Sequence, residues 1–204
     1  MITTAAGSSG TSTDLLPDRS SSTTSRRREI VNAAGRILER DGSDGLTMRA
    51  IAADLGIRAP SLYTHIADKR ELEIALVAGA IEDQARIFEE IAKTSDDPVP
   101  GIAAAYRAWA LEHPHLYSLM NDRPLPRDEL PEGLEERAVR PLLKGLEGDT
   151  DRARAAWAFA HGMVTLELAG RFPEHADLEA AWSLGLESIT KSTALFSNHG
   201  GITT

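Results

Sequence analysis

Residues 47–72 read TMRAIAADLGIRAPSLYTHIADKREL, and this stretch decides the fold. Thr47 stands where a helix N-cap belongs, ahead of Met48, Ile51, Ala52 and Leu55, and Gly56 stops that short helix after two turns. A third helix begins near Ala59 and Pro60, because proline is tolerated in a first turn whose N–H groups are unpaired anyway. It turns Leu62 and Ile66 inward, and Asp68 caps a fourth helix carrying Leu72, Leu76, Ala80 and Ile81. A helix-turn-helix needs a small residue where two helices cross, a glycine where φ is positive, and apolar residues that seat the second helix. Ala52, Gly56 and the set Ile51, Leu55, Ile57 and Leu62 meet those demands in register. A plain helical hairpin accounts for the apolar residues and the glycine. It does not account for Ser61, Thr64 and His65 on the outward face, with Arg58 before them and Lys69 after. All of these can donate to phosphates or base edges, and Tyr63 adds a phenol suited to a phosphate.

Upstream, Ile30, Ala33, Ala34, Ile37 and Leu38 repeat at three and four residues, which predicts a first amphipathic helix over 26–40. Residues 1–25 are dominated by Ser, Thr and Gly and predict a disordered tail, with a second over 198–204. The net charge of -9 argues against nucleic acid until it is counted by region. Residues 21–70 hold nine Lys or Arg against six acids, whereas 71–204 hold twelve against twenty-three. A basic end and an acidic body suggest two jobs.

The run T-x-R-x-I-A-x-x-L-G-I, then S-L-Y-x-H, then D-K-x-x-L, preceded by the first helix, resembles the TetR family of repressors over residues 27–75. The resemblance implies that Thr47, Tyr63 and Lys69 contact phosphates and that Ala59, Pro60 and Thr64 meet base edges. Arg49, Arg58, Ser61 and His65 complete the expected DNA-binding set. His65 has a plainer alternative, a phosphate or intramolecular hydrogen bond. Arg58 occupies a position where the family often has a capping Ser, exchanging a cap worth about 1 kcal/mol for a phosphate contact. Ile66 replaces a frequent Phe. Arg26, Arg27 and Arg28 admit two readings, a minor-groove arm ahead of the first helix or a solvated charge run.

Beyond the polar break at 94–101, the pattern predicts a helix over 102–111, a short one at LYSLM, and three longer ones at about 132–146, 150–171 and 175–196, the first interrupted by Pro141. Trp157, His161 and Gly162 resemble the W-x-x-x-H-G signature of a TetR subgroup, which implies a ligand-binding and dimerisation domain over 71–197, joined to a DNA-binding domain over 26–70. Trp157, His161, Val164 and Leu168 share a helical stripe from which Met163 and Glu167 are offset. Tyr106, Trp109, His113, Tyr117, Trp157 and His161 are candidate pocket walls, with core packing as the alternative for each. Glu167 lies in the apolar run MVTLELAG; it either faces water or needs a partner, which a ligand could supply. Small residues Ala153, Ala156, Ala160, Gly170, Ala181 and Gly185 permit close helix approach in the four-helix dimer interface that the family uses.

The expected fold is all-α, a three-helix DNA-binding domain plus a larger helical domain, about nine helices in all. The absence of Cys excludes disulfides, Cys-ligated zinc and thiol nucleophiles. No apolar run is long enough to span a membrane and no signal peptide pattern leads the chain, so a cytoplasmic protein is expected. An enzyme is disfavoured: H-E-x-x-H, G-x-S-x-G and a phosphate-cradling Gly loop are all missing, and Pro114 separates the neighbouring His113 and His115. No cofactor or metal is expected. The expected partners are a double-stranded DNA operator, a second copy of the chain and a small-molecule effector, in a ligand-responsive regulator. The competing reading is a constitutive DNA-binding protein with a filled, pocket-free body.

Overall fold

The computed structural model describes residues 19–191. The expected tails lie outside these residues except for 19–25, which form the beginning of a helix instead. Adding residues to an existing helix is far easier than nucleating one, so the first helix extends upstream of its apolar stripe. Among the described residues there are nine α-helices, one 3-10 turn and no strand.

Helix α1 (Arg19–Gly45) is broken at Gly42, whose φ of 71° and ψ of -176° leave the helical region, close to the expected end at 40. Its predicted stripe is realised: Ile30, Ala33, Ala34, Ile37 and Leu38 are each 0% exposed. They pack with α2 (Met48–Asp54) and α3 (Ala59–Leu62) through Ile51, Ala52, Leu62 and Ile66. Leu72 and Leu76, from the first turns of α4 (Lys69–Thr94), close this core. Ile66 is fully buried, so the departure from Phe is accommodated.

Helix α4 belongs to more than one core. Its later residues Ala80 and Phe88 pack into the body with α5 (Val99–Glu112), α6 (Pro114–Asn121), α8 (Thr150–Leu168) and α9 (Leu178–Thr190). A 3-10 turn at Arg127–Glu129 precedes α7 (Leu134–Gly145), which runs unbroken through buried Pro141 rather than stopping there. Pro141 costs α7 one backbone hydrogen bond, and its burial offsets that loss. Helix α7 lies along α4, where Arg137 bonds both oxygens of Glu89 at 2.7 and 2.9 Å and also pairs with Glu82.

Of the small residues of α8 and α9, Ala153, Ala156, Ala160 and Gly185 pack within the chain. Ala153, Ala156 and Ala160 are buried in the body core. A Cβ on Gly185 would lie 2.1 Å from Phe159 Cζ, so only glycine lets α9 approach α8 in this way. Helix α9 ends at Thr190, short of the expected 196, and residues 192–204 lie outside those described.

Candidate nucleic-acid interface and ligand cavity

The DNA-facing candidates are held by local hydrogen bonds that the sequence dictates. Thr47 Oγ1 accepts the N–H of Ala50 at 3.1 Å, capping α2. Gly56 adopts φ 64°, which lets Ile57 N–H reach Ala52 O at 2.9 Å and turns the chain toward α3. Arg58 takes the N-cap position of α3 with no side-chain cap, leaving its guanidinium exposed. Helix α3 is one turn of α-helix, and residues 63–65 continue it as turns in which His65 and Ile66 donate to Leu62 O.

Thr47, Arg49, Arg58, Pro60, Ser61, Tyr63, Thr64 and Lys69 are all exposed, whereas Ala59 and His65 are half-buried. Tyr63 stands 52% exposed, so its phenol is open to a partner. The Thr64 hydroxyl donates to Ser61 O at 2.8 Å, so its oxygen and methyl group remain for a partner. His65 Nδ1 is buried without a hydrogen-bond partner, so this atom makes no intramolecular hydrogen bond. Lys69 Nζ donates to Ser43 O at 3.3 Å and lies 3.8 Å from Glu73. Arg26, Arg27 and Arg28 sit inside α1 rather than on an arm ahead of it. Arg26 pairs with Glu29 and Arg27 with Glu71, each at 2.7 Å.

Glu71 anchors the turn between α3 and α4. Its Oε2 accepts the N–H of Ala67 at 2.6 Å while its own N–H donates to Asp68 Oδ1 at 2.8 Å. The backbone N–H of Ala67, helped by the Arg27 guanidinium, holds the Glu71 carboxyl below its ordinary range.

The body contains a cavity of about 620 Å³, within the range of small-molecule sites. Its walls are mainly apolar, with Ile81, Phe88, Ile102, Ala103, Leu142 and Leu143 among them. Of the seven pocket candidates, Tyr106 and Trp157 line it. Tyr117 and His161 stand behind Tyr106: the Tyr106 hydroxyl donates to Tyr117 Oη at 3.1 Å, which lies 2.6 Å from His161 Nδ1. Burial pushes both phenols up, keeping them protonated donors. Trp157 stacks on His161 with centroids 5.5 Å apart, and Trp109 packs on His113 at 5.1 Å. Trp109, His113, Tyr117 and His161 therefore pack beside the walls rather than forming them. Glu167 finds its partners inside the chain: Arg107 Nε bonds it at 2.9 Å and Trp182 Nε1 at 2.7 Å. Both carboxylate oxygens are thereby occupied, away from the cavity wall.

Comparison with known proteins is consistent across the chain. The family model described as bacterial regulatory proteins, tetR family, matches residues 30–76, and that of the tetracyclin repressor-like C-terminal domain matches 99–189. The uncharacterized HTH-type transcriptional regulator Rv0681 of Mycobacterium tuberculosis is 31% identical over 186 residues, which are 86% of this chain and 84% of that protein. The chain belongs to the TetR family. Among solved TetR-like folds, SCO4313 superposes with a TM-score of 0.69 at 26% identity, covering 85% of this chain and 99% of the other. The multidrug binding protein EbrR, solved with imidazole, gives 0.62 at 26% identity over 83% and 92%. This TetR-family chain is accordingly a DNA-binding transcriptional regulator and not an enzyme.

Two cavity residues of this TetR-family protein escape a motif search. Gln84 is 8% exposed, lines the cavity, and has an Nε2 with no hydrogen-bond partner. It falls at i+3 from Ile81 and i-4 from Phe88, so a polar residue in the apolar register of α4 was the available signal. Arg123 joins the lining from the loop after α6, where no periodicity operates.

Proposed function

We propose that the protein is a ligand-responsive repressor that binds a pseudo-palindromic operator as a homodimer and is released by a small molecule. The observation that carries this reading is the path of α4. Its first residue, Lys69, stands on the exposed surface with Tyr63, while Ile81, Gln84 and Phe88 on the same helix wall the cavity. A ligand that bound one placement of α4 better than another would shift the recognition surface by its differential affinity. The constitutive alternative called for a filled body, and a cavity of about 620 Å³ speaks against it. Base reading falls to Ala59, Pro60 and Thr64, and phosphate contact to Thr47, Tyr63 and Lys69, supported by Arg49, Arg58 and Ser61.

Dimerisation is supported by the need of one short recognition helix for a second, and by apolar side chains left outward on α8 and α9. Trp157 is 53% exposed and Leu184 is 71% exposed. Among the described residues no helix is long and apolar enough to cross a membrane. A cytoplasmic protein with access to DNA fits this reading.

The test is fluorescence anisotropy on duplexes selected from a random-sequence library, at several salt concentrations, with scrambled duplex and the Y63A/K69A variant alongside. The expected result is two chains per duplex, a preference of roughly 1,000-fold over the scrambled duplex, and its loss in the variant with a shallower salt dependence. A variant that binds as tightly as the parent would remove Tyr63 and Lys69 from the interface.

A further inference from the structure

The cavity rim reverses the charge of the body that contains it. Residues 71–204 carry twenty-three acids against twelve Lys or Arg, yet the cavity is lined by Arg123, Arg127 and Arg154 against a single carboxylate, Glu135. Glu135 is itself held by Arg127 at 3.1 Å. A cationic occupant would find no free acid there, whereas an anionic group would meet exposed guanidinium ions, each held by one carboxylate: Glu73 on Arg123, Glu135 on Arg127 and Asp151 on Arg154. Deeper in, the Gln84 amide presents a buried donor with nothing to accept its proton. Such a donor is costly unless an occupant supplies an acceptor.

One rim arginine reaches beyond the cavity. Arg123 Nη1 lies 3.3 Å from Glu73 Oε2, and the other oxygen of that carboxylate, Oε1, lies 3.8 Å from Lys69 Nζ. Glu73 is only 19% exposed, so this carboxylate is shared between a cavity-lining cation and the ammonium at the DNA-facing end of α4. We propose that the effector is an apolar molecule bearing an anionic group and an oxygen acceptor, received by Arg123 and Gln84, and that Arg123 transmits its arrival to Lys69 through Glu73. An anion that draws Arg123 toward the cavity leaves Glu73 to Lys69 alone. Lys69 is then neutralised locally and held back from a phosphate. This inference rests on the ligand-responsive reading above and names the ligand class and the route for that same cavity.

The test uses the full chain and matched ten-carbon probes: decanoate, 1-decanol, decylamine, and decanoates with a keto group at carbon 4, 6 or 8. Binding to the free protein is followed by calorimetry, with circular dichroism to verify the fold of each variant. Decanoate is expected to bind at least 10-fold tighter than decylamine, with R123Q shrinking that ratio below 3-fold. At least one keto-decanoate is expected to gain 5-fold or more over decanoate, a gain lost in Q84L. On the selected duplex, saturating decanoate is expected to weaken binding at least 5-fold in the parent and less than 2-fold in E73Q. Equal binding of acid and amine, preference for the amine, or no binding of any probe overturns the ligand class. Decanoate binding that leaves duplex affinity unchanged, or an undiminished response in E73Q, overturns the route. Release by decylamine would overturn the inference while leaving the ligand-responsive reading intact. A protein that selects decanoate yet recognises no duplex would sink the operator reading and leave the ligand class standing.

Discussion

Glu39, on α1, accepts the backbone N–H of Leu116 at 2.8 Å and that of His115 at 3.2 Å, so a side chain of the DNA-binding end caps the first turn of α6 in the body. The first N–H groups of a helix have no partner within it, and the positive end of its dipole favours a carboxylate. Leu116 also packs against both cores, which places this cap at the junction between them. E39A is expected to lower stability by about 1–2 kcal/mol in urea unfolding, with E39Q losing less. No loss in E39A would show that water replaces the cap without cost.

Glu71 gives the protein a pH dependence of defined sign. Its carboxyl is held below the ordinary value of 4.5, first by the Ala67 N–H and then by Arg27. A carboxyl depressed in the folded state stabilises it above the ordinary value, and that stabilisation is lost as pH falls through the depressed one. The side chain is 38% exposed, so solvent screening limits the effect to about 0.5–1 kcal/mol. The stability gap between parent and E71Q should be constant above about pH 5.5, near neutrality included, and should close progressively below about pH 4.5. A gap that is flat down to about pH 2 would remove Glu71 from the account.

The difference between these two residues also shows what sequence can reveal. Glu71 lies three residues past a helix-capping Asp68, a local pattern that can be read directly. Glu39 meets residues 76 and 77 positions away, and nothing in the spacing of α1 announces α6. The helix-turn-helix was legible because its demands are local: a cap at Thr47, a left-handed Gly56 and inward Leu62 within a few turns. The cavity was not, because its walls come from several helices and a loop, and one-dimensional periodicity cannot tell a wall from a core. Aromatic side chains such as Trp109 and Tyr117 therefore stood out, although they pack beside the cavity, while Gln84 was hidden among the charged residues of α4.

Glu167 illustrates the same limit energetically. Its side chain is 7% exposed, and Arg107, at 20%, is held by it at 2.8 Å. Removing one member of a buried pair leaves the other charged and poorly solvated, a larger loss than the pair itself contributes. E167L should therefore cost about 2–3 kcal/mol, softened because Arg107 keeps the exposed Glu179 as a partner. The double variant R107M/E167L should recover part of that loss, since an apolar pair replaces an ionic one of similar volume, but should stay about 1–2 kcal/mol below the parent because the buried Trp182 N–H has lost its acceptor. A role in ligand binding predicts instead that stability holds while affinity falls, so unfolding and calorimetry on the same variants separate the two.

Gly185 sets two helix-level effects against each other. In a helix interior, alanine is favoured over glycine by about 1 kcal/mol, which alone would make G185A stabilising. The added Cβ, however, would lie 2.1 Å from Phe159 Cζ, and the ring cannot withdraw freely because it packs edge-on against Trp182 with centroids 5.5 Å apart. Overpacking of this kind costs about 1–3 kcal/mol, so the clash is expected to exceed the propensity gain and G185A to be destabilising in the parent. Truncating the ring removes the clash and leaves the propensity term. G185A should then raise stability by up to about 1 kcal/mol in an F159A background, itself weakened by its cavity. The predicted observation is a change of sign between the two backgrounds in a double-mutant cycle. The same sign in both would mean that α9 shifts away from α8 at little cost, and that Gly185 does not fix their approach.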